Sequence, residues 1–192
     1  MIVSWNTTNA CNLACRHCYR DAGARAEEEL TTAEGINLID EIAAAGFKIM
    51  IFSGGEPLMR EDIHSLIKHA VKVGLRPVMG SNGTLIDREE AARLKDSGVA
   101  AVGISLDSVD PARHDLFRGV EGAWQRAVEG MAACREAGLP FQVHTTVVDW
   151  NYDEIEQITD FAVDAGAVAH HVFFLVPTGR GADMEAESLR AG

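Results

Sequence analysis

Three of the four cysteines fall within eight residues, in the run Cys11-Asn-Leu-Ala-Cys15-Arg-His-Cys18. Thiolates separated by three and then two residues can wrap a small metal site from one loop. A structural zinc ion takes four protein ligands, commonly as two close pairs from separate places. A ferredoxin-type cluster also takes four thiolates. The remaining cysteine, Cys134, lies far along the chain on an amphipathic stretch and reads as a small buried hydrophobe. Three thiolates on a four-iron cluster would leave one iron open to a substrate or cofactor. His17 would complete a zinc set if the site were a structural zinc instead. Crowded cysteines of this kind point to a metal site in a reducing compartment rather than to a secreted disulfide scaffold.

Other polar clusters recur along the chain: Ser53-Gly54-Gly55-Glu56-Pro57, Gly80-Ser81-Asn82-Gly83-Thr84, Ser105-Leu106-Asp107-Ser108, His144-Thr145-Thr146 and Pro177-Thr178-Gly179-Arg180. Most follow a short apolar run; His144-Thr145-Thr146 sits inside one. The runs are Ile2–Trp5, Phe47–Phe52, Leu75–Met79, Val99–Leu106, Leu139–Val148 and Val168–Val176. Near-continuous apolar runs suit parallel strands covered on both faces. Helical stretches lie between them, each closed by a glycine: Gly46, Gly74, Gly98, Gly138 and Gly166. Thr31 and Glu34 stand at capping-box spacing, and Asp87 and Glu90 imitate it. Alternating strand and helix predicts an α/β fold with a parallel sheet and right-handed crossovers, six strands and five clear helices. An open doubly wound sheet and part of a (βα) barrel both fit this pattern. In either, chemistry belongs at the carboxyl ends of the strands, where most of the polar clusters stand.

The 192 residues carry 17 Lys and Arg against 29 Asp and Glu, a net charge of −12, with 47% apolar residues. That is the composition of one globular domain or a domain and a half. The acidity argues against a nucleic-acid surface, and no apolar run is long enough to span a membrane. The first residues lack the basic and apolar regions of a signal peptide, so a cytoplasmic protein is expected.

The cysteine loop after the first strand and Gly54-Gly55-Glu56-Pro57 after the second, 36 residues beyond Cys18, resemble the radical S-adenosylmethionine (SAM) superfamily. The resemblance runs through all six expected strands. It implies a partial (βα)6 TIM-like barrel, the radical SAM core, over residues 1–180. It implies a [4Fe–4S] cluster held by Cys11, Cys15 and Cys18, with SAM chelating the open iron through its amino and carboxylate groups. Reductive cleavage of SAM would give methionine and a 5′-deoxyadenosyl radical, which takes a hydrogen atom from the substrate. Gly54 and Gly55 would offer backbone carbonyls to the SAM ammonium, Glu56 would add negative charge there, and Pro57 would set the turn. His17 fills the slot that in the family is usually aromatic and near adenine. Ser105 and Asp107 match the strand end near the ribose, whose diol an acidic residue suits. Asn82 resembles the Thr-Asn-Gly of members that modify peptides and tetrapyrroles. His144 and Thr145 would face the lumen, and Leu175 and Val176 would offer backbone groups to adenine.

The stretches Val3–Thr8, Cys18–Gly23, Ile104–Ser108 and Phe173–Arg180 are similar to the NirJ-like branch of haem d1 and siroheme-dependent haem biosynthesis. That branch removes acetate side chains from an iron tetrapyrrole or decarboxylates its propionates. Arg16, Arg20 and Arg180 would suit such carboxylates. His170 and His171, at the start of the sixth run, read as structural. The branch usually continues into a cysteine-rich region carrying an auxiliary cluster. Residues 181–192 hold no cysteine and read as a short, truncated tail. The expected partners are a small-molecule substrate such as an iron tetrapyrrole, and reduced flavodoxin or ferredoxin as electron donor. A peptide or peptide-cofactor maturase, and a non-catalytic iron–sulfur or zinc-binding fragment, are the alternatives.

Overall fold

The computed structural model describes residues 1–189, so only the end of the expected tail, 190–192, lies outside the described residues. Six parallel strands pair in chain order: β1 (Ile2–Asn6), β2 (Ile49–Ser53), β3 (Arg76–Ser81), β4 (Val102–Ser105), β5 (Phe141–Val147) and β6 (His170–Phe174). Six helices cross over between them: α1 (Thr32–Ala44), α2 (Ile63–Lys72), α3 (Arg88–Ser97), α4 (Pro111–Arg118), α5 (Ala123–Ala137) and α6 (Ile155–Ala165). Strands in sequence order, each joined by a helix on the same side, curl into a half-barrel. The curl is visible in the contacts: the loop after β1 and Phe173 of β6, at opposite ends of the sheet order, line one cavity. A flat doubly wound sheet would keep them apart.

The local signals are realised as bonds. The Thr31 hydroxyl accepts from the Glu34 N–H, and the Glu34 carboxylate accepts from the Thr31 N–H at 2.8 Å, a closed capping box. Asp87 caps α3 by accepting from Glu90 N–H at 2.8 Å. The Glu90 carboxylate turns instead to His64 and Arg93. All five helix-closing glycines hold positive φ, between 64° and 93°. The apolar residues between helices and sheet form one core that includes Ile39, Met50, Phe52, Leu94, Ile104 and Phe141. Cys134 belongs to it, fully buried, its thiol pushed up to about 12 by burial.

One helix was not legible in the sequence. Helix α4 starts at Asp110, whose carboxylate accepts from Ala112 and Arg113 N–H, and ends at Gly119 in the left-handed region. Its buried side chains are His114, Phe117 and Arg118, so its inward face carries little of an apolar period. After β6 a 3-10 segment, Gly179–Glu187, folds back on the body. Met184 packs with Phe117, Val148 and Leu175, and Asp149 N–H donates to the Glu187 carbonyl. Among the described residues no helix is long and apolar enough to cross a membrane.

Phe52 is fully buried in β2 beneath the site. Phe52→Ala is expected to lower stability by about 3–5 kcal/mol, the cost of removing a large aromatic from a packed core, read as a shift in the urea denaturation midpoint.

Candidate active site

The cysteine loop has almost no regular structure of its own, and its shape is imposed from two sides. On one side it meets the turn after β2. Gly55 N–H donates to the Thr8 carbonyl and Glu56 N–H to the Ala10 carbonyl, each at 2.8 Å. Gly54 sits at φ 141°, and a side chain on Gly55 would overlap the Ala10 carbonyl, so the two backbones meet only because both positions are glycine. On the other side it meets the end of α4. Ala14 N–H donates to the Arg118 carbonyl at 3.1 Å and Arg16 N–H to the Phe117 carbonyl at 3.0 Å. Arg180, beyond β6, donates to the Cys15 and Ala22 carbonyls and pairs with Asp21 at 2.9 Å.

Held this way, Cys11, Cys15 and Cys18 line one open cavity of about 240 Å3. Its wall also carries His17, Gly54, Gly55, Asn82, Ser105, Arg118, His144 and Phe173. Of the residues expected at the site, Glu56, Pro57 and Asp107 are buried and not on this lining. A larger surface groove between α3 and α5, about 560 Å3, is lined by none of the predicted ligands.

Glu56 lies behind the wall as a strut. It is fully buried and accepts from Asn82 N–H at 2.8 Å, Ser81 hydroxyl at 3.0 Å and Leu58 N–H at 3.2 Å, tying the β2 turn to the end of β3. Burial outweighs these bonds and pushes its carboxyl up to about 7. Pro57 opens the 3-10 turn Pro57–Met59. Asn82 bridges further: its amide donates to Asn12 Oδ1 at 2.9 Å, in the cysteine loop, and its Oδ1 accepts from Thr84.

Asp107 is also fully buried, between α4 and β5. One carboxylate oxygen accepts from Arg118 Nε at 2.6 Å, the other from Thr146 N–H at 2.9 Å. Burial works against its charge, but the Arg118 guanidinium, the neighbouring imidazoles and the Thr146 N–H together hold the carboxyl below its usual range. Arg118 reaches Cys15 Sγ with Nη1 at 3.8 Å. Burial raises the Cys15 thiol, and the guanidinium partly offsets that. Sequence reasoning missed Arg118 because it missed α4; the signal available was Asp110-Pro111 with Gly119 eight residues after the proline.

The His17 ring stacks on Phe117, centroids 4.0 Å apart and planes at 18°. Burial and then Arg118 lower it to about 3, so it is neutral. Its Nδ1 is buried with no partner among the described residues. His144 faces the cavity, whereas Thr145, one residue on, points to the helices and donates to the Leu106 carbonyl at 2.6 Å. Arg16 lies outside the cavity, paired with Glu187 at 2.8 Å.

The Radical SAM superfamily model matches residues 5–162. The chain belongs to the radical SAM superfamily. An AdoMet-dependent heme synthase from Nitratidesulfovibrio vulgaris is 44% identical over 99% of this chain and 52% of its own length. A Fe-coproporphyrin III synthase from Methanosarcina barkeri is 41% identical over 98% of this chain and 47% of its own. The chain thus spans about half the length of the curated relatives it matches. Streptococcus suis SuiB bound to S-adenosylmethionine superposes with a TM-score of 0.76 at 19% identity, over 89% of this chain and 38% of that one, a likeness of fold.

Radical SAM proteins use a [4Fe–4S] cluster and SAM. The donor set fits them. Three thiolates share one wall, yet among the described residues no three His, Cys, Asp or Glu side chains converge tightly enough for a single metal ion. Three thiolates set apart along a cavity wall suit a four-iron cluster, three of whose irons would take one thiolate each, better than one zinc.

The raised Glu56 group sets a pH dependence. Between about pH 4.5 and 7 the folded protein keeps a proton that the unfolded chain releases, so this group's contribution to stability falls as pH rises through that window. Glu56→Gln should remove a loss on the order of 3 kcal/mol, seen as a flatter stability profile than wild type between pH 5 and 8 in urea titrations of the cluster-free protein.

Proposed function

We propose that this chain is the catalytic core of a radical SAM enzyme that modifies the side chains of an iron tetrapyrrole in haem or haem d1 biosynthesis. The observation that carries the proposal is one cavity wall holding Cys11, Cys15 and Cys18 beside the Gly54-Gly55 backbone and a buried guanidinium, Arg118. The identities with relatives named as a heme synthase and a Fe-coproporphyrin III synthase support the substrate class.

When bound, the reduced cluster would supply one electron for sulfonium cleavage, and SAM the group that takes a hydrogen atom from the substrate. The chain's own residues do the rest. The three cysteines hold the cluster as thiolates, and Arg118 favours the charged form at Cys15. The Gly54 and Gly55 backbone offers acceptors to an ammonium, and Arg118 with the Ser105 hydroxyl offers donors to a carboxylate. Asp107 keeps Arg118 in place and charged. Neutral His17, flat on Phe117, gives an aromatic surface for a purine. Asn82 and Glu56 act from behind, fixing the cysteine loop and the β2 turn to the end of β3. Reduced flavodoxin or ferredoxin would donate the electron, in the cytoplasm.

Anaerobically reconstituted protein with dithionite and SAM is expected to yield 5′-deoxyadenosine and methionine. Cys15→Ala should lose the product and the cluster absorption together, because removing one of three ligands removes an iron site. Reconstituted wild type that forms no 5′-deoxyadenosine would overturn the proposal.

A further inference from the structure

The two histidines that open β6 do different things. His170 faces the helices, with Nδ1 at 2.8 Å from the Thr159 hydroxyl and Nε2 at 2.8 Å from the Thr145 hydroxyl. Both its nitrogens are engaged in holding β5, β6 and α6 together. His171 faces the concave side. The register pairs His144 with His171 and Thr146 with Phe173, and His144, Thr146 and Phe173 all line the cavity. The same register pairs Ser105 with His144. Residue 171 therefore stands level with the carboxyl end of β4, although it is near the start of its own strand.

Three rings form a ledge there. His144 and His171 meet edge to face with centroids 5.3 Å apart, and His144 and Phe173 at 5.2 Å. His171 and Phe173 are nearly parallel, at 21°. His144 is braced: its ring lies where a side chain on Gly103 would have to go, and its Nε2 faces Gln142 Oε1 at 3.2 Å. Burial lowers it to about 4, so it is neutral. His171 is exposed, and its ring nitrogens have no hydrogen-bond partner among the described residues. Phe173 beside it is 48% exposed.

An exposed imidazole packed against cavity-lining rings is free to bind a metal, and imidazole is a standard axial ligand of tetrapyrrole iron. An axial imidazole stands edge-on to the macrocycle it ligates. Phe173, nearly parallel to His171, would present its edge to the same face, the arrangement aromatic quadrupoles favour. We propose that His171 is the axial ligand to the iron of the tetrapyrrole substrate, with Phe173 and His144 forming the ledge against which the macrocycle rests. The inference rests on the tetrapyrrole reading above and adds how the substrate is recognised. Iron would then be a specificity element, fixing the macrocycle so that one edge overhangs the cavity with the cysteines.

The test titrates ferric coproporphyrin III and metal-free coproporphyrin III into reconstituted protein with its cluster oxidised and silent in electron paramagnetic resonance. Wild type should bind the ferric form at least about tenfold more tightly than the metal-free form, with a high-spin ferric spectrum carrying the nitrogen coupling of one axial imidazole. His171→Ala should lose that spectrum and bring the two affinities together. His171 is exposed, so its replacement leaves the fold intact, checked by circular dichroism. Equal affinity of wild type for both forms, or the spectrum surviving His171→Ala, overturns the ligand while leaving the tetrapyrrole reading in place. Binding of neither form takes down the tetrapyrrole reading and this inference with it.

Discussion

The site depends on a clamp made of backbone hydrogen bonds. A loop rich in cysteine and poor in regular structure has no intrinsic shape, and the entropy of fixing it must be met by its neighbours. Here the turn after β2 grips it at Thr8 and Ala10, and the end of α4 grips it at Ala14 and Arg16. The first grip requires glycine at positions 54 and 55, because any side chain would collide with the loop's carbonyls. The second requires α4 to end where it does. Positions of the thiols relative to the rest of the cavity follow from these two contacts, and the half-barrel exists in order to bring the two gripping elements to the same end of the sheet.

Charge is arranged around the clamp in two buried layers. Asp107 and Arg118 form a pair with no exposure at the carboxylate, the guanidinium helping the buried carboxyl to stay ionised. Taking both charges out of water is costly, and removing either would strand the other. Their placement against Cys15 puts a deeply buried guanidinium on the cavity wall where thiolates must persist. Glu56 is the opposite case. It lacks a cationic partner among the described residues, relies on two N–H groups and a hydroxyl, and titrates near neutrality as a result.

Much of the fold was legible because the signals were local. The five closing glycines, the Thr31 cap and the apolar runs each specify one end or one face of an element. The site was legible where residue type and spacing alone carry the chemistry, as in Cys11, Cys15 and Cys18. It was less so where tertiary partners decide. Arg118 was missed because α4 buries a histidine and an arginine on its inner face, which hides the period that marks a helix. Arg180 looked like a substrate grip, but its guanidinium is spent on the carbonyls of the cysteine loop. His170 and His171 read alike in the sequence, and only the pairing of β5 with β6 separates the faces they occupy.

In the proposed site, three cysteines leave one iron of the cluster open to SAM. Electron paramagnetic resonance of the reduced, reconstituted protein, recorded with and without SAM, tests it directly. The account predicts a [4Fe–4S] signal whose g-values move when SAM is added. A cluster signal unchanged by saturating SAM would contradict it.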